Sequence, residues 1–111
     1  RWSADEGTVT KVTSKHEWAS LLARAKMEHK PIFAKFYSAW CTPSRQSAPI
    51  FARLSDQYET VIFAKVNLDE DGELGEAFGV EFLPSFKVFY KGEVLATQQG
   101  FAGRSESGWE A

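Results

Sequence analysis

Strand-like runs and helix-patterned stretches take turns along this chain, and that alternation restricts the fold more than any other feature. Thr8 to Val12 is rich in β-branched residues and reads as a short strand. Ser14-Lys15-His16-Glu17 has the S-x-x-E form of a capping box. Ser14 can accept from the backbone N–H of Glu17, and the Glu17 carboxylate can return to the N–H of Ser14. Trp18, Leu21, Leu22 and Ala25 follow at helical spacing, which gives this helix one apolar face. Pro31 begins Ile32 to Tyr37, a mostly apolar run suited to a central strand covered on both faces. A second helix carries Phe51, Leu54 and Tyr58 on one face, and its internal Pro49 should kink it by removing a hydrogen bond. Val61 to Asn67 reads as another buried strand, and Glu73 to Phe78 as a short helix closed by Gly79. Pro84 to Tyr90 and Glu93 to Thr97 are two strands joined through Lys91-Gly92, a pair that suits a tight hairpin. A final helix is expected from Gly103, anchored by Trp109 and weakened by Gly108.

The order β-α-β-α-β-α-β-β implies an α/β fold. Alternating strands and helices argue for a parallel core, and the closing hairpin adds antiparallel strands. The expectation is a central mixed sheet with helices on both faces. With 111 residues, one domain over positions 1–111 is the default. At 43% hydrophobic residues there is enough apolar material for a core, which excludes a disordered chain. A net charge of −2 without a basic stripe argues against nucleic acid as a partner. Apolar runs such as Val61-Ile62-Phe63-Ala64 fall far short of the roughly 20 residues that span a bilayer, so no membrane partner is expected. Arg1 in place of an initiating Met suggests a processed or excised chain. The cytoplasm is the expected compartment, or the endoplasmic reticulum lumen if a removed signal peptide preceded Arg1.

Cys41 is the one cysteine, so no intramolecular disulfide can form. It lies between a buried strand and a helix start. The unsatisfied N–H groups and partial positive charge there favour a thiolate, the attacking form of the sulfur. Pro43, just inside the helix, sets φ without losing a needed donor, and Trp40 stands ready to shield one side of the sulfur. A cysteine that merely packs is the competing reading. His16 and His29 read as surface residues, and one cysteine with two scattered histidines cannot build a closed zinc site. Asp69-Glu70-Asp71-Gly72 reads as a solvated turn capping the next helix, without a calcium-loop pattern. No metal and no cofactor is implied.

Lys35-Phe36-Tyr37-Ser38-Ala39-Trp40-Cys41-Thr42-Pro43-Ser44-Arg45 resembles the active-site stretch of thioredoxins and protein disulfide isomerase domains, whose pattern is W-C-x-x-C. Pro49 matches the kinking proline of that superfamily, and Ala64 to Asp69 its third strand. Phe82-Leu83-Pro84-Ser85 is similar to its cis-proline loop, Lys91-Gly92-Glu93 to its hairpin, and Gly100 to the glycine beside its active site. The likeness runs from about Thr8 to Gly103 and implies a thioredoxin fold with Cys41 as the nucleophile of thiol–disulfide exchange. It also implies a cis Leu83–Pro84 bond and a shallow peptide groove rimmed by Thr42, Pro43, Leu83, Pro84, Gln99, Gly100 and Phe101. The alternative for Phe101 is plain packing.

Two departures bear on mechanism. Ser44 stands where the family has its second cysteine, so a mixed disulfide at Cys41 has no internal attacker. Ser44 could still donate a hydrogen bond to the Cys41 thiolate. Lys35 stands where the family has a buried carboxylate, and Lys65 matches the lysine that normally faces it. As a cation near the sulfur Lys35 would favour the thiolate; the alternative is that its stem runs to solvent. The resemblance thus implies a monothiol oxidoreductase acting on protein disulfides and thiols, with glutathione or a thioredoxin-type reductase as a further partner. The alternatives are a non-catalytic isomerase-like module that retains clients, and a Cys-to-Ser trapping form of a dithiol protein.

Overall fold

The computed structural model describes residues 8–70 and 72–100. Phe101 and the helix expected from Gly103 lie outside the described residues. The elements are β1 (Val9–Val12), α1 (Lys15–Glu28), β2 (Ile32–Tyr37), α2 (Thr42–Gln57), β3 (Ile62–Asn67), α3 (Gly72–Ala77), β4 (Ser85–Tyr90) and β5 (Glu93–Gln99). The sheet order is β1-β3-β2-β4-β5. β3 pairs in parallel with both β1 and β2, and β4 runs antiparallel to β2 and β5. This is the mixed sheet of a thioredoxin fold, with the helical connections covering both faces.

Side-chain alternation sorts the two faces. Ile32, Ala34 and Phe36 of β2 join Ile62, Ala64 and Val66 of β3 in a cluster with Trp18, Leu21 and Ala25 of α1 and Leu74 of α3. The odd-numbered residues of the same strands point the other way. Phe33 and Phe63 pack there with Phe51 and Leu54 of α2 and with Phe86 of β4. The ring centroids of Phe51 lie 5.4 Å from Phe33 and 5.3 Å from Phe63, both edge-on. By the same alternation Lys35 and Lys65 fall on the α2 face, a basic pair among aromatic rings.

Several boundaries move for identifiable reasons. β4 begins at Ser85 because Pro84 has no N–H to give the ladder. β5 continues to Gln99, where Ser85 keeps it paired past a bulge at Val88/Phe89. Tyr58 departs from the expected apolar face: α2 ends at Gln57, and Tyr58 is 53% exposed. α3 closes through Gly79 at φ 65°, whose N–H reaches Glu76 O at 3.1 Å while Val80 N–H reaches Gly75 O at 2.9 Å. Lys91 and Gly92, at φ 54° and 83°, make the tight turn of the β4–β5 hairpin.

The capping box at α1 forms with one change. Ser14 Oγ accepts from Glu17 N–H at 3.1 Å, as expected. The Glu17 carboxylate returns one residue further, accepting from Thr13 N–H at 2.6 Å and Thr13 Oγ1 at 2.9 Å. Thr13 offers two donors to one oxygen where Ser14 would offer one. The Thr13 backbone N–H, and then its hydroxyl, hold the Glu17 carboxyl below its ordinary value. Ser14→Ala should lower the unfolding free energy by about 1 kcal/mol. Because the Glu17 carboxyl is held low in the fold, its contribution is complete above the unfolded-state pKa and disappears as pH falls through the folded value. Urea unfolding should therefore show Glu17→Gln less stable than the parent at neutral pH, with the gap closing in acid; a gap that ignores pH would mean the pairing is not ionic.

Candidate active site

The end of β2, a three-residue turn and the first turn of α2 build the site. After Tyr37, the chain is held by a carboxylate from the loop beyond β3. Asp69 Oδ1 accepts from Ser38 Oγ at 2.7 Å, and Oδ2 accepts from Ala39 N–H at 2.9 Å. Asp69 is itself oriented by its N–H, which donates to Asn67 Oδ1 at 2.7 Å. Trp40 N–H donates to Ser38 Oγ at 3.2 Å, and Cys41 N–H to Ser38 O at 3.2 Å. Cys41 is then the N-cap of α2, extended at φ −92° and ψ 120°, with Thr42 and Pro43 as the first helical residues. The Arg45 guanidinium folds back over this turn, donating to Ala39 O and to Thr42 Oγ1, each at 3.2 Å.

Cys41 is half-buried, and its Sγ lies 3.6 Å from Leu83 O, within reach of a weak S–H···O bond. The Leu83–Pro84 peptide is cis, as the family likeness implies. Pro84 O accepts from Gly100 N–H at 2.7 Å, and Ser85 pairs with Gln99 on β5. Leu83, Pro84, Gln99 and Gly100 thus converge on the side of the sheet where Cys41 sits. Trp40 does not shield the sulfur by packing over it: the residue is 85% exposed. Phe82 is also largely exposed, so bare aromatic surface lies on both chain segments that approach the sulfur.

Lys35 does not run to solvent. It is 3% exposed, and its Nζ donates to Ser44 O at 2.9 Å, with the rings of Tyr37 and Phe51 at 5.4 and 5.9 Å. Its described hydrogen bond therefore goes to the backbone of the helix that carries Cys41, and the sulfur's described partner is Leu83 O. Lys65 is its register partner on β3 and is half-buried. Ser44 is 1% exposed, and its Oγ has no hydrogen-bond partner among the described residues, so the expected bond to Cys41 is not made. Its carbonyl takes a second donor instead, Ser47 Oγ at 2.8 Å.

Residues 9–107 match the family model of Thioredoxin. The chain is 41% identical over 87 residues to a Thioredoxin H-type of Chlamydomonas reinhardtii, covering 78% of this chain and 77% of that one. It is 35% identical over 99 residues to Thioredoxin H3 of Arabidopsis thaliana, covering 89% and 84%. The crystal structure of a poplar thioredoxin h mutant superposes with a TM-score of 0.84 at 28% identity, covering 90% of this chain and 78% of that one.

Sequence reasoning misses Asp69. In the sequence it is one acid of an acidic turn; in the fold it pins the turn that delivers Cys41. The parallel pairing of β2 with β3, ending at Tyr37 and Asn67, brings the two loops together, and spacing alone does not show that. Asp69→Ala should release Ala39 N–H, raising its hydrogen-exchange rate about tenfold, the equivalent of about 1.4 kcal/mol for an exposed charged hydrogen bond. Unchanged protection at Ala39 would show that the carboxylate does not hold the turn.

Proposed function

The chain belongs to the thioredoxin family and is a thiol–disulfide oxidoreductase of thioredoxin type; we propose that it works with one thiol and borrows the second. The observation that carries this reading is Ser44, buried one helical turn below Cys41 at the position of the resolving thiol. In the proposed cycle the Cys41 thiolate attacks one sulfur of a client disulfide. A Cys41–client bond forms, the client S–S bond breaks, and the other client sulfur leaves as a thiolate. A hydroxyl cannot displace that bond, so an external thiolate of the glutathione class does. It attacks Cys41 Sγ, releases the second client thiolate and leaves a glutathione–Cys41 disulfide. A second glutathione restores the Cys41 thiolate and carries away the oxidised pair. A thioredoxin-type reductase is the other proposed source of electrons.

The remaining residues are proposed as positioning groups. The Leu83 carbonyl accepts from the sulfur only while that sulfur holds a proton. Once the sulfur has lost it, Leu83 O is available to an extended client backbone, with Thr42, Pro43, Pro84, Gln99 and Gly100 as the groove rim. Exposed Trp40 and Phe82 offer apolar surface to a client. Lys35 cannot act as the proton acceptor that a family carboxylate provides; its proposed part is to fix the first turn of α2 through Ser44 O.

Mixing the reduced protein with a disulfide client should accumulate a covalent adduct at Cys41, visible by mass spectrometry, which glutathione collapses. Ser44→Cys should restore part of the insulin reduction expected of a dithiol protein, and adding Lys35→Asp should raise it further. A tenfold gain would equal about 1.4 kcal/mol off the barrier. Repeated insulin reduction by the unaltered chain with no added thiol to resolve it would overturn the one-thiol cycle. Equal rates for Ser44→Cys and the double variant would remove the role assigned to Lys35.

A further inference from the structure

At the end of the sheet away from Cys41, a cavity of about 510 Å³ opens between the last turn of α1 and the β4–β5 hairpin. Its floor is Leu22 and Ala25 of α1, Ile32 at the start of β2 and Phe89 near the end of β4. Ile32 and Phe89 are register partners, and both are buried. Cys41 follows the other end of β2, and Leu83 and Pro84 precede the start of β4. About 16 Å of strand therefore lies between this cavity and the thiol. Thiol exchange has no use for it.

The rim is basic. Lys26, His29 and Lys91 are exposed along this wall, Lys30 is half-buried, and no described carboxylate lines it. Glu28 and Glu93 flank these residues in sequence without lining the cavity, and Glu28 is paired with Arg24 at 3.2 Å and with Lys30 at 3.5 Å. Lys26 and His29 make no side-chain hydrogen bond or ion pair among the described residues. Lys91 Nζ lies 5.4 Å from the centroid of the Tyr90 ring, which holds the ammonium at the hairpin. The helix dipole accounts for a lysine in the last turn of α1 but not for Lys91, which arrives from the β4–β5 turn. The carbonyls at the end of α1 are already occupied, Ala25 O by Lys30 N–H at 3.0 Å and Lys26 O by His29 N–H at 3.3 Å. His29 and Lys91 are both left-handed, at φ 57° and 54°, so the backbone of the rim is fixed in advance of any ligand.

We infer that this cavity binds a small organic anion with an apolar body and one oxyanion head, carboxylate or phosphate. Its volume falls within the roughly 300–1,000 Å³ of small-molecule sites, and an apolar floor with a few polar groups at one side is their usual make-up. The body lies along Leu22, Ile32 and Phe89, driven there by the removal of apolar surface from water. The head pairs with the ammonium groups of Lys26 and Lys91 and accepts from a ring N–H of His29. Charge complementarity selects the sign, since a cation would meet only like charges on this rim. No bond is made or broken, and binding does not depend on how Cys41 is resolved.

The test is an NMR titration of the ¹⁵N-labelled protein, its Cys41 capped with iodoacetamide, with sodium octanoate and separately with sodium octyl phosphate at constant ionic strength. Saturable shifts at the amides of Lys26, His29, Phe89 and Lys91 are expected, and the tighter probe identifies the head as carboxylate or phosphate. 1-Octanol, which has the body without the charge, should bind about fivefold more weakly than octanoate. Lys26→Gln should weaken octanoate binding about threefold, and Lys26→Gln with Lys91→Gln about tenfold. Both positions are exposed, and circular dichroism checks that the variants fold. Equal affinity for octanol and octanoate would overturn the inference. So would unchanged affinity in the two variants, or shifts centred on Trp40 and Phe82.

Discussion

The helix end that Cys41 caps is tied to the central strand by a buried contact, the bond from Lys35 Nζ to Ser44 O. A lysine that is 3% exposed must find acceptors inside the protein or carry a heavy desolvation cost. Lys35 meets that demand with a backbone carbonyl and two ring faces. The carbonyl belongs to the first turn of α2, so the bond joins the central strand to the helix end that Cys41 caps. Pro49 gives no N–H to Arg45 O, which leaves this turn short of one ladder bond. Side-chain donors, Lys35 and Ser47, supply cohesion just where the helix is short of it.

The same contact explains how a reversal of charge is accommodated. The family likeness puts a carboxylate at position 35, which would need donors. A lysine there needs acceptors, and the Ser44 carbonyl, one turn before Pro49, provides one. The outcome links β2 and α2 directly, with a buried serine rather than a second thiol in the first turn of α2.

Much of the fold is legible in the sequence because it follows from periodicity. Ile32 to Tyr37 is apolar on both sides, Ser14 and Glu17 announce a helix start, and Lys91-Gly92 announces a hairpin. Cys41 and the cis-proline loop are legible from motifs in the right order. The rest is decided by groups far apart in sequence. Asp69 reaches the turn before Cys41 only because β3 lies beside β2. The fate of the Ser44 hydroxyl depends on which atoms surround it, and no spacing rule supplies that. Trp40 illustrates the same limit: its neighbour in sequence is the sulfur, yet its ring stands in solvent.

The sheet order also shapes how the chain reaches this state. β1 pairs with β3, so Val9 must wait for Phe63, while β4 and β5 meet across a two-residue turn. Closing so long a loop costs entropy before any pairing compensates for it. A chain emerging from the ribosome would hold Val9–Val12 without its neighbour until the whole of α2 and β3 had been made. The C-terminal hairpin faces no such delay. The two outer strands thus belong to opposite ends of the assembly sequence, one assembled from remote parts and the other from adjacent ones.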